Sequence, residues 1–153
     1  MSDVREHTGI ASVLATTTAI VDGDYRLKFS SESFRRAAVV ILAGYWLALF
    51  VATHIPKIPK ALQAPGSDKW QHAIAYAGLA FLLINYRSFG KPLTWKLTLG
   101  VAGVVIVFGA VDELTQIPVG RDAEFGDWLA DCLGALVGIG LYAVLQSRIR
   151  RIL

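Results

Sequence analysis

Four stretches of this chain are almost free of charged side chains, and each is close to the length that a membrane-spanning helix requires. They cover residues 37–53, 70–86, 97–111 and 128–145. A spanning helix needs about 20 mostly apolar residues, and flanking polar residues complete the shorter stretches. Hydrophobic residues make up 54% of the chain and charged residues only 18%, whereas soluble proteins average about 25% charged residues. The sequence therefore predicts an all-α integral membrane protein with a four-transmembrane-helix bundle.

The alternative is a soluble bundle of four helices, in which each helix would present a polar face to water. Residues 101–111 read VAGVVIVFGAV and carry no polar side chain, which favours the membrane. We predict one transmembrane domain over residues 31–153, preceded by a cytoplasmic tail over residues 1–30. The tail is either loosely ordered or folded as a small β-hairpin around the turn signal Asp22-Gly23. The predicted helices cover residues 34–54, 68–87, 94–115 and 127–147.

Basic residues indicate how the chain is oriented in the membrane. Eleven of the 15 lysine and arginine residues lie in the N-terminal region, in the 87–96 connection or near the C-terminus. Because basic residues accumulate on the cytoplasmic side, both termini are predicted to be cytoplasmic in a multi-pass protein of the inner membrane. The same residues would face anionic lipid headgroups, so membrane lipids are predicted partners and nucleic acid is not.

Two small features bear on covalent chemistry and assembly. The single cysteine, Cys132, excludes an internal disulfide and a zinc site built from several cysteines. Gly134 and Gly138 form a small-xxx-small pair, which is more typical of close packing within a bundle than of a dimer face. The alternative interpretation of this glycine pair is a homodimer interface.

Acidic residues are concentrated in two segments, one at the start of the second helix and one from the end of the third into the fourth. Seven of the 12 acidic residues lie there. The predicted topology brings these helix ends together at the outer surface, and ionisable groups beside hydrocarbon are expensive unless they are paired, hydrated or used. The candidate site residues are Asp68, Lys69, His72, Tyr76, Asp112, Glu113, Gln116, Arg121, Asp127 and Asp131. His54, at the outer end of the first helix, is interpreted as a solvated loop histidine, with membership of the site as the alternative.

Several carboxylates in one place require compensation by Lys69, Arg121 and His72, by a bound cation or by bound protons. A divalent cation such as Mg²⁺, Mn²⁺ or Zn²⁺ would be the cofactor of such a cluster. Its candidate ligands are His72, Asp112, Glu113 and Asp131. The alternative is a purely structural tie between helix ends. No catalytic residue is identified, because no serine or cysteine nucleophile motif accompanies the cluster.

The order and spacing of these motifs resemble the VanZ-like family of small bacterial membrane proteins. The matching pattern is Asp68-Lys69-x-x-His72-x-x-x-Tyr76, then Asp112-Glu113-x-x-Gln116, Arg121, and Asp127-x-x-x-Asp131-x-x-Gly134-x-x-x-Gly138. It covers residues 40–145 and departs from the family at Asp131, where the family commonly has Asn. The resemblance implies the four-span fold and the polar site. Founding members are associated with low-level teicoplanin resistance that does not involve altered peptidoglycan precursors.

Three functions are compatible with these observations. The leading hypothesis is a non-enzymatic envelope protein that binds an amphiphilic or lipid-linked ligand, with a role in glycopeptide tolerance. The second is a membrane-embedded hydrolase or transferase acting on lipid headgroups or cell-wall precursors, for which His72 and the neighbouring acids would supply acid–base chemistry. The third is an ion-binding or proton-coupled permease. This hypothesis ranks lowest, because four spans are few for a pore.

Overall fold

The structure is a computed structural model of the 153-residue chain, and it describes residues 32–55, 67–89 and 91–152. The predicted cytoplasmic tail and its β-hairpin lie outside the described residues. The chain divides into two compact units, Met1–Ala38 and Val39–Leu153. In the first unit, the described residues are helical.

Four α-helices account for most of the described residues. They are α1 (Glu32–His54), α2 (Ser67–Ser88), α3 (Trp95–Gln116) and α4 (Phe125–Ile152). A turn of 3₁₀-helix, Ile117–Val119, extends α3, and the described part of the chain contains no β-strand. The all-α prediction is therefore confirmed for these residues. Helix α4 continues past the predicted end at 147, because basic side chains in a last turn, here Arg150 and Arg151, are favourable there.

Three helices among the described residues are long and apolar enough to cross a membrane: Glu32–His54, Trp95–Val119 and Phe125–Ile152. The predicted membrane character is confirmed to that extent. Helix α2 is not among the three, although its 22 residues would extend about 33 Å. Gln71, His72 and Asn85 lower its apolar content.

The helices meet at one end through polar side chains. Lys69 at the start of α2 pairs with Asp127 at the start of α4, with 3.0 Å between Nζ and Oδ1. Asp112 near the end of α3 accepts hydrogen bonds from Thr53 at the end of α1 and from Tyr76 of α2. Therefore α2 and α4 run in the same direction, α1 and α3 run opposite to them, and the cluster lies where α1 and α3 end.

Two glycines let α4 lie against α2 at very short range. A Cβ atom on Gly134 would overlap the carbonyl oxygen of Ala73, and one on Gly138 would overlap that of Ala77. The spacing of four residues on both helices repeats the contact on successive turns. The small-xxx-small pair is thus used for packing within one chain.

Replacing Gly138 with alanine should destabilise the protein, because the new methyl group meets backbone and not a flexible side chain. We expect a loss of about 1–3 kcal/mol in the free energy of unfolding, as for other overpacked cores, measured by thermal unfolding in detergent. Gly140→Ala is the matched control, since no heavy atom lies within 4 Å of a Cβ at that position. Equal stability of the two variants would contradict the close packing of α2 and α4.

Candidate functional site

The ten predicted site residues all lie in the described part of the chain, at the end where α1 and α3 finish. Eight of them are buried, Asp68 is half-buried and Lys69 is exposed. Burying an ionised side chain costs several kcal/mol unless opposite charges or hydrogen bonds compensate. The arrangement of donors around each carboxylate therefore decides what the cluster can do, and it separates the cluster into two groups.

The first group surrounds Asp112 and uses only neutral donors. Thr53 Oγ1 of α1 donates to Asp112 Oδ1 at 3.0 Å. Tyr76 Oη of α2 and Gln116 Nε2 of α3 each donate to Oδ2 at 3.2 Å. Both oxygens of this fully buried carboxylate are thus satisfied, and three helices are joined. We call these four residues the clasp.

His54 lies beside the clasp, which corrects its interpretation as a solvated loop residue. It is the last residue of α1 and is half-buried against α3. Its Nε2 atom lies 3.1 Å from Thr115 Oγ1, and its Nδ1 atom lies 2.7 Å from the carbonyl oxygen of Phe50. Thr53 and His54 were not among the predicted site residues. The available signal was the topology, because α1 ends on the same side as α3.

The second group consists of His72, Glu113, Asp127 and Asp131, and we call it the acidic centre. His72 Nδ1 lies 2.9 Å from Asp131 Oδ1 and 3.9 Å from Glu113 Oε1, and His72 Nε2 lies 3.8 Å from Asp127 Oδ2. All four side chains are buried. Because a carboxylate oxygen can only accept, His72 Nδ1 is the donor to Asp131.

A metal ion could be held by three residues of the acidic centre. One ligand-type atom from each of His72, Glu113 and Asp127 lies within 4.8 Å of the other two. Asp68, Glu124 and Asp127 form a second such group, which is less buried. Asp112, a metal candidate from the sequence, is instead surrounded by the donors of the clasp.

Asp131 has one oxygen that the described side chains leave without a donor. Its Oδ2 atom is buried and has no hydrogen-bond partner among the described residues, and the residue is 0% exposed. A Cβ at Gly109 of α3 would lie 3.1 Å from this oxygen, so the glycine provides the room that the carboxylate occupies. A buried acceptor without a donor costs about 1–3 kcal/mol, and more when it is charged.

Lys69 lies between the acidic centre and the surface. Its ammonium group contacts Asp127 Oδ1 at 3.0 Å and Glu124 Oε2 at 3.4 Å, and its side chain is 45% exposed. Gly126 gives it space, because a Cβ there would lie 3.1 Å from Nζ. One positive charge therefore neutralises the outer side of the cluster, while the inner carboxylates face His72.

Two further residues shape the loop between α3 and α4. Glu113 Oε2 accepts a hydrogen bond from the backbone nitrogen of Glu124 at 2.9 Å. Arg121 is buried, and its Nη1 atom donates to the carbonyl oxygen of Ile55 at 3.1 Å. The predicted cation Arg121 thus binds the end of α1, and Glu113 joins the acidic centre to the loop.

At the opposite end of the helices, neutral polar side chains connect the described parts of α2 and α4. The hydroxyl groups of Ser88 and Tyr142 share a hydrogen bond, and Gln146 Nε2 donates to Tyr142 Oη at 3.2 Å and to the carbonyl oxygen of Lys91 at 2.8 Å. Neutral polar groups of this kind commonly form hydrogen bonds between membrane helices. The acidic centre therefore contains more ionisable groups than helix association requires.

Comparison with known proteins gives no match to a family model, to a curated protein or to a solved structure. The resemblance to the VanZ-like family therefore rests on the sequence motifs.

Replacing Asp112 with alanine should destabilise the bundle, since the buried donors of Tyr76 and Gln116 and the half-buried hydroxyl of Thr53 lose this acceptor. Each hydrogen bond between membrane helices contributes about 0.6 kcal/mol, so we expect a loss of about 2 kcal/mol in thermal unfolding in detergent. Val111→Ala, which alters the exposed neighbour on the same turn, should change stability by less than about 0.5 kcal/mol. A variant at Asp112 as stable as the one at Val111 would contradict the clasp.

Proposed function

We propose that the chain crosses the bacterial inner membrane four times, with both termini in the cytoplasm and the polar cluster at the outer surface. Three helices have the length and composition of spans. Helix α2 would be the fourth, because its buried residues face α1, α3 and α4 and its polar residues lie near its two ends. The excess of basic residues in the N-terminal region, the 87–96 connection and the C-terminal end supports this orientation.

Cysteine labelling in intact cells tests this topology. In a Cys132→Ser background, we expect Val119→Cys to react with a membrane-impermeant maleimide. Lys91→Cys and Ser147→Cys should react only after the cells are permeabilised. All four positions lie in described residues, and 91, 119 and 147 are exposed. The reverse labelling pattern would contradict the orientation, and labelling of residue 91 from outside would contradict four spans.

The function of the protein under this proposal is to bind the polar headgroup of an amphiphilic or lipid-linked envelope ligand. The observation that carries it is the presence of buried acids and exposed apolar side chains on the same helical turns. Glu113 is 5% exposed, whereas its neighbour Leu114 is 63% exposed. Asp127 is 1% exposed, whereas Phe125 is 70% exposed. A ligand that contacts both surfaces must itself be amphiphilic.

The charge of the cluster limits the headgroup chemistry. Asp112, Glu113, Asp127 and Asp131 are buried acids, and Lys69 pairs directly with one of them, Asp127. An additional anion would therefore be repelled unless positive charge accompanied it. The headgroup consequently carries an ammonium group or reaches the site together with a cation. A role in glycopeptide tolerance is the cellular context that the VanZ-like resemblance would add.

Retention of amphiphiles by the purified protein tests the proposal. We expect native mass spectrometry in mild detergent to detect a copurified amphiphile on the wild type and at least about tenfold less on His72→Ala, a difference of about 1.4 kcal/mol. Gln71→Ala alters the exposed adjacent position of α2 and should retain the ligand. Equal retention by all three proteins would overturn the proposal.

A second candidate function is hydrolysis or transfer at the headgroup, and the contact between His72 and Asp131 favours it. A carboxylate that accepts from Nδ1 leaves Nε2 available as a general base. Incubating the purified protein with labelled membrane lipids and cell-wall precursors would distinguish the two functions, because a binding protein leaves these compounds unchanged.

A further inference from the structure

We propose that His72, Glu113 and Asp127 bind one divalent transition-metal ion, and that Asp131 orients His72 for this role. The inference deepens the proposed function and rests on the acidic centre being a binding site. It identifies the cation that would accompany an anionic headgroup.

The first argument is geometric. The three ligand-type atoms lie within 4.8 Å of one another and come from three helices whose ends meet. Ligand atoms at Zn–N and Zn–O distances of about 2.1 Å lie about 3.4 Å apart in a tetrahedral site. A closure of at most about 1.4 Å would therefore bring the three atoms to that spacing.

The second argument concerns the orientation of the imidazole ring. A metal-binding histidine almost always donates its other ring N–H to a carboxylate, carbonyl or water, which selects the tautomer and holds the ring. His72 Nδ1 makes this contact with Asp131 at 2.9 Å, and His72 Nε2 faces Asp127 Oδ2 at 3.8 Å. The ring is therefore held with its free nitrogen directed to Asp127. Glu113 Oε1 lies 3.9 Å from Nδ1 and would have to approach Nε2 to complete the site. Asp131 is a positioning residue in this arrangement.

The third argument is independent of the ligand geometry. Asp131 Oδ2 is fully buried and lacks a hydrogen-bond partner among the described residues, although it belongs to a carboxylate that touches His72. Its negative charge can persist there only with positive charge nearby. A dication bound at His72 would supply that charge through the ring.

The ligand types define the chemical class of the ion. Imidazole nitrogen together with carboxylate oxygens suits Zn²⁺ and Mn²⁺, whereas Ca²⁺ and Mg²⁺ prefer oxygen alone. Three protein ligands leave at least one coordination position for an outside group. A phosphate or carboxylate oxygen of the headgroup would fill it.

The outer group of Asp68, Glu124 and Asp127 is the competing location, and Lys69 argues against it. The ammonium group already lies 3.4 Å from Glu124 and 3.0 Å from Asp127. A dication among these oxygens would be repelled by Lys69, which contacts two of the three outer acids.

Metal binding by the full-length protein tests the inference directly. The protein is purified in detergent, stripped with EDTA and titrated separately with Zn²⁺ and Mn²⁺, with bound metal counted by elemental analysis. We expect one ion per chain and at least about 100-fold weaker binding in Glu113→Gln and His72→Ala. Glu124→Gln makes the same chemical change in the outer group and should bind as the wild type does.

Asp131→Asn separates positioning from structural support. We expect one ion still to bind, with affinity lowered about 10–100-fold as for other residues that orient metal ligands. The stripped variant should unfold at the wild-type temperature. Absence of metal uptake by the wild type, or loss of binding in Glu124→Gln and not in Glu113→Gln, would overturn the inference.

Amphiphile retention is measured on the same preparations, so that the two proposals fail separately. Metal uptake without a retained amphiphile would overturn the proposed function alone. An amphiphile retained by a protein that takes up neither metal would overturn the metal site alone.

Discussion

Buried carboxylates at the end of an apolar bundle impose the strongest constraint on this structure, because each must find a compensating partner. Asp112 finds three neutral donors on α1, α2 and α3, and it therefore serves as a fixed point that joins those helices. The acidic centre is compensated differently. Its three acids lie around His72, and Lys69 pairs with one of them, Asp127. One end of the bundle thus contains a satisfied carboxylate beside Asp131, whose Oδ2 atom has no hydrogen-bond partner among the described residues.

The same constraint links helix packing to the geometry of the site. Gly134 lies against the backbone of Ala73. His72 precedes Ala73 on α2, and Asp131 lies about one turn before Gly134 on α4. A side chain at residue 134 would push α4 away from α2 and lengthen the 2.9 Å contact between His72 and Asp131. Since membrane helices have no strong hydrophobic force between them, small residues determine how closely they approach. The glycines are therefore part of the site even though they carry no functional group.

The sequence could predict that the helix ends meet. It could not predict that the polar residues separate into the clasp and the acidic centre. Long apolar runs and helical spacing are local properties, so the helices and the shared face of Asp127 and Asp131 follow from the sequence. Asp112 and Glu113 are adjacent in sequence but point about 100° apart around α3, one into the clasp and the other into the acidic centre. That assignment depends on the rotation of each helix about its axis. Thr53 was missed because a threonine at a helix end has many ordinary explanations.

A structural role accounts for the clasp, and our proposal assigns the acidic centre a further role in binding a cation. Among the described residues, neutral side chains make the hydrogen bonds between α2 and α4 at the opposite end of the helices. Replacing a buried ion pair by apolar side chains is often neutral or stabilising, so ionised residues are a poor means of adding stability. Asp112 already connects three helices, and the glycine contacts connect α2 to α4. The remaining acids, together with a histidine whose ring one of them orients, are the arrangement expected of a centre that binds a cation.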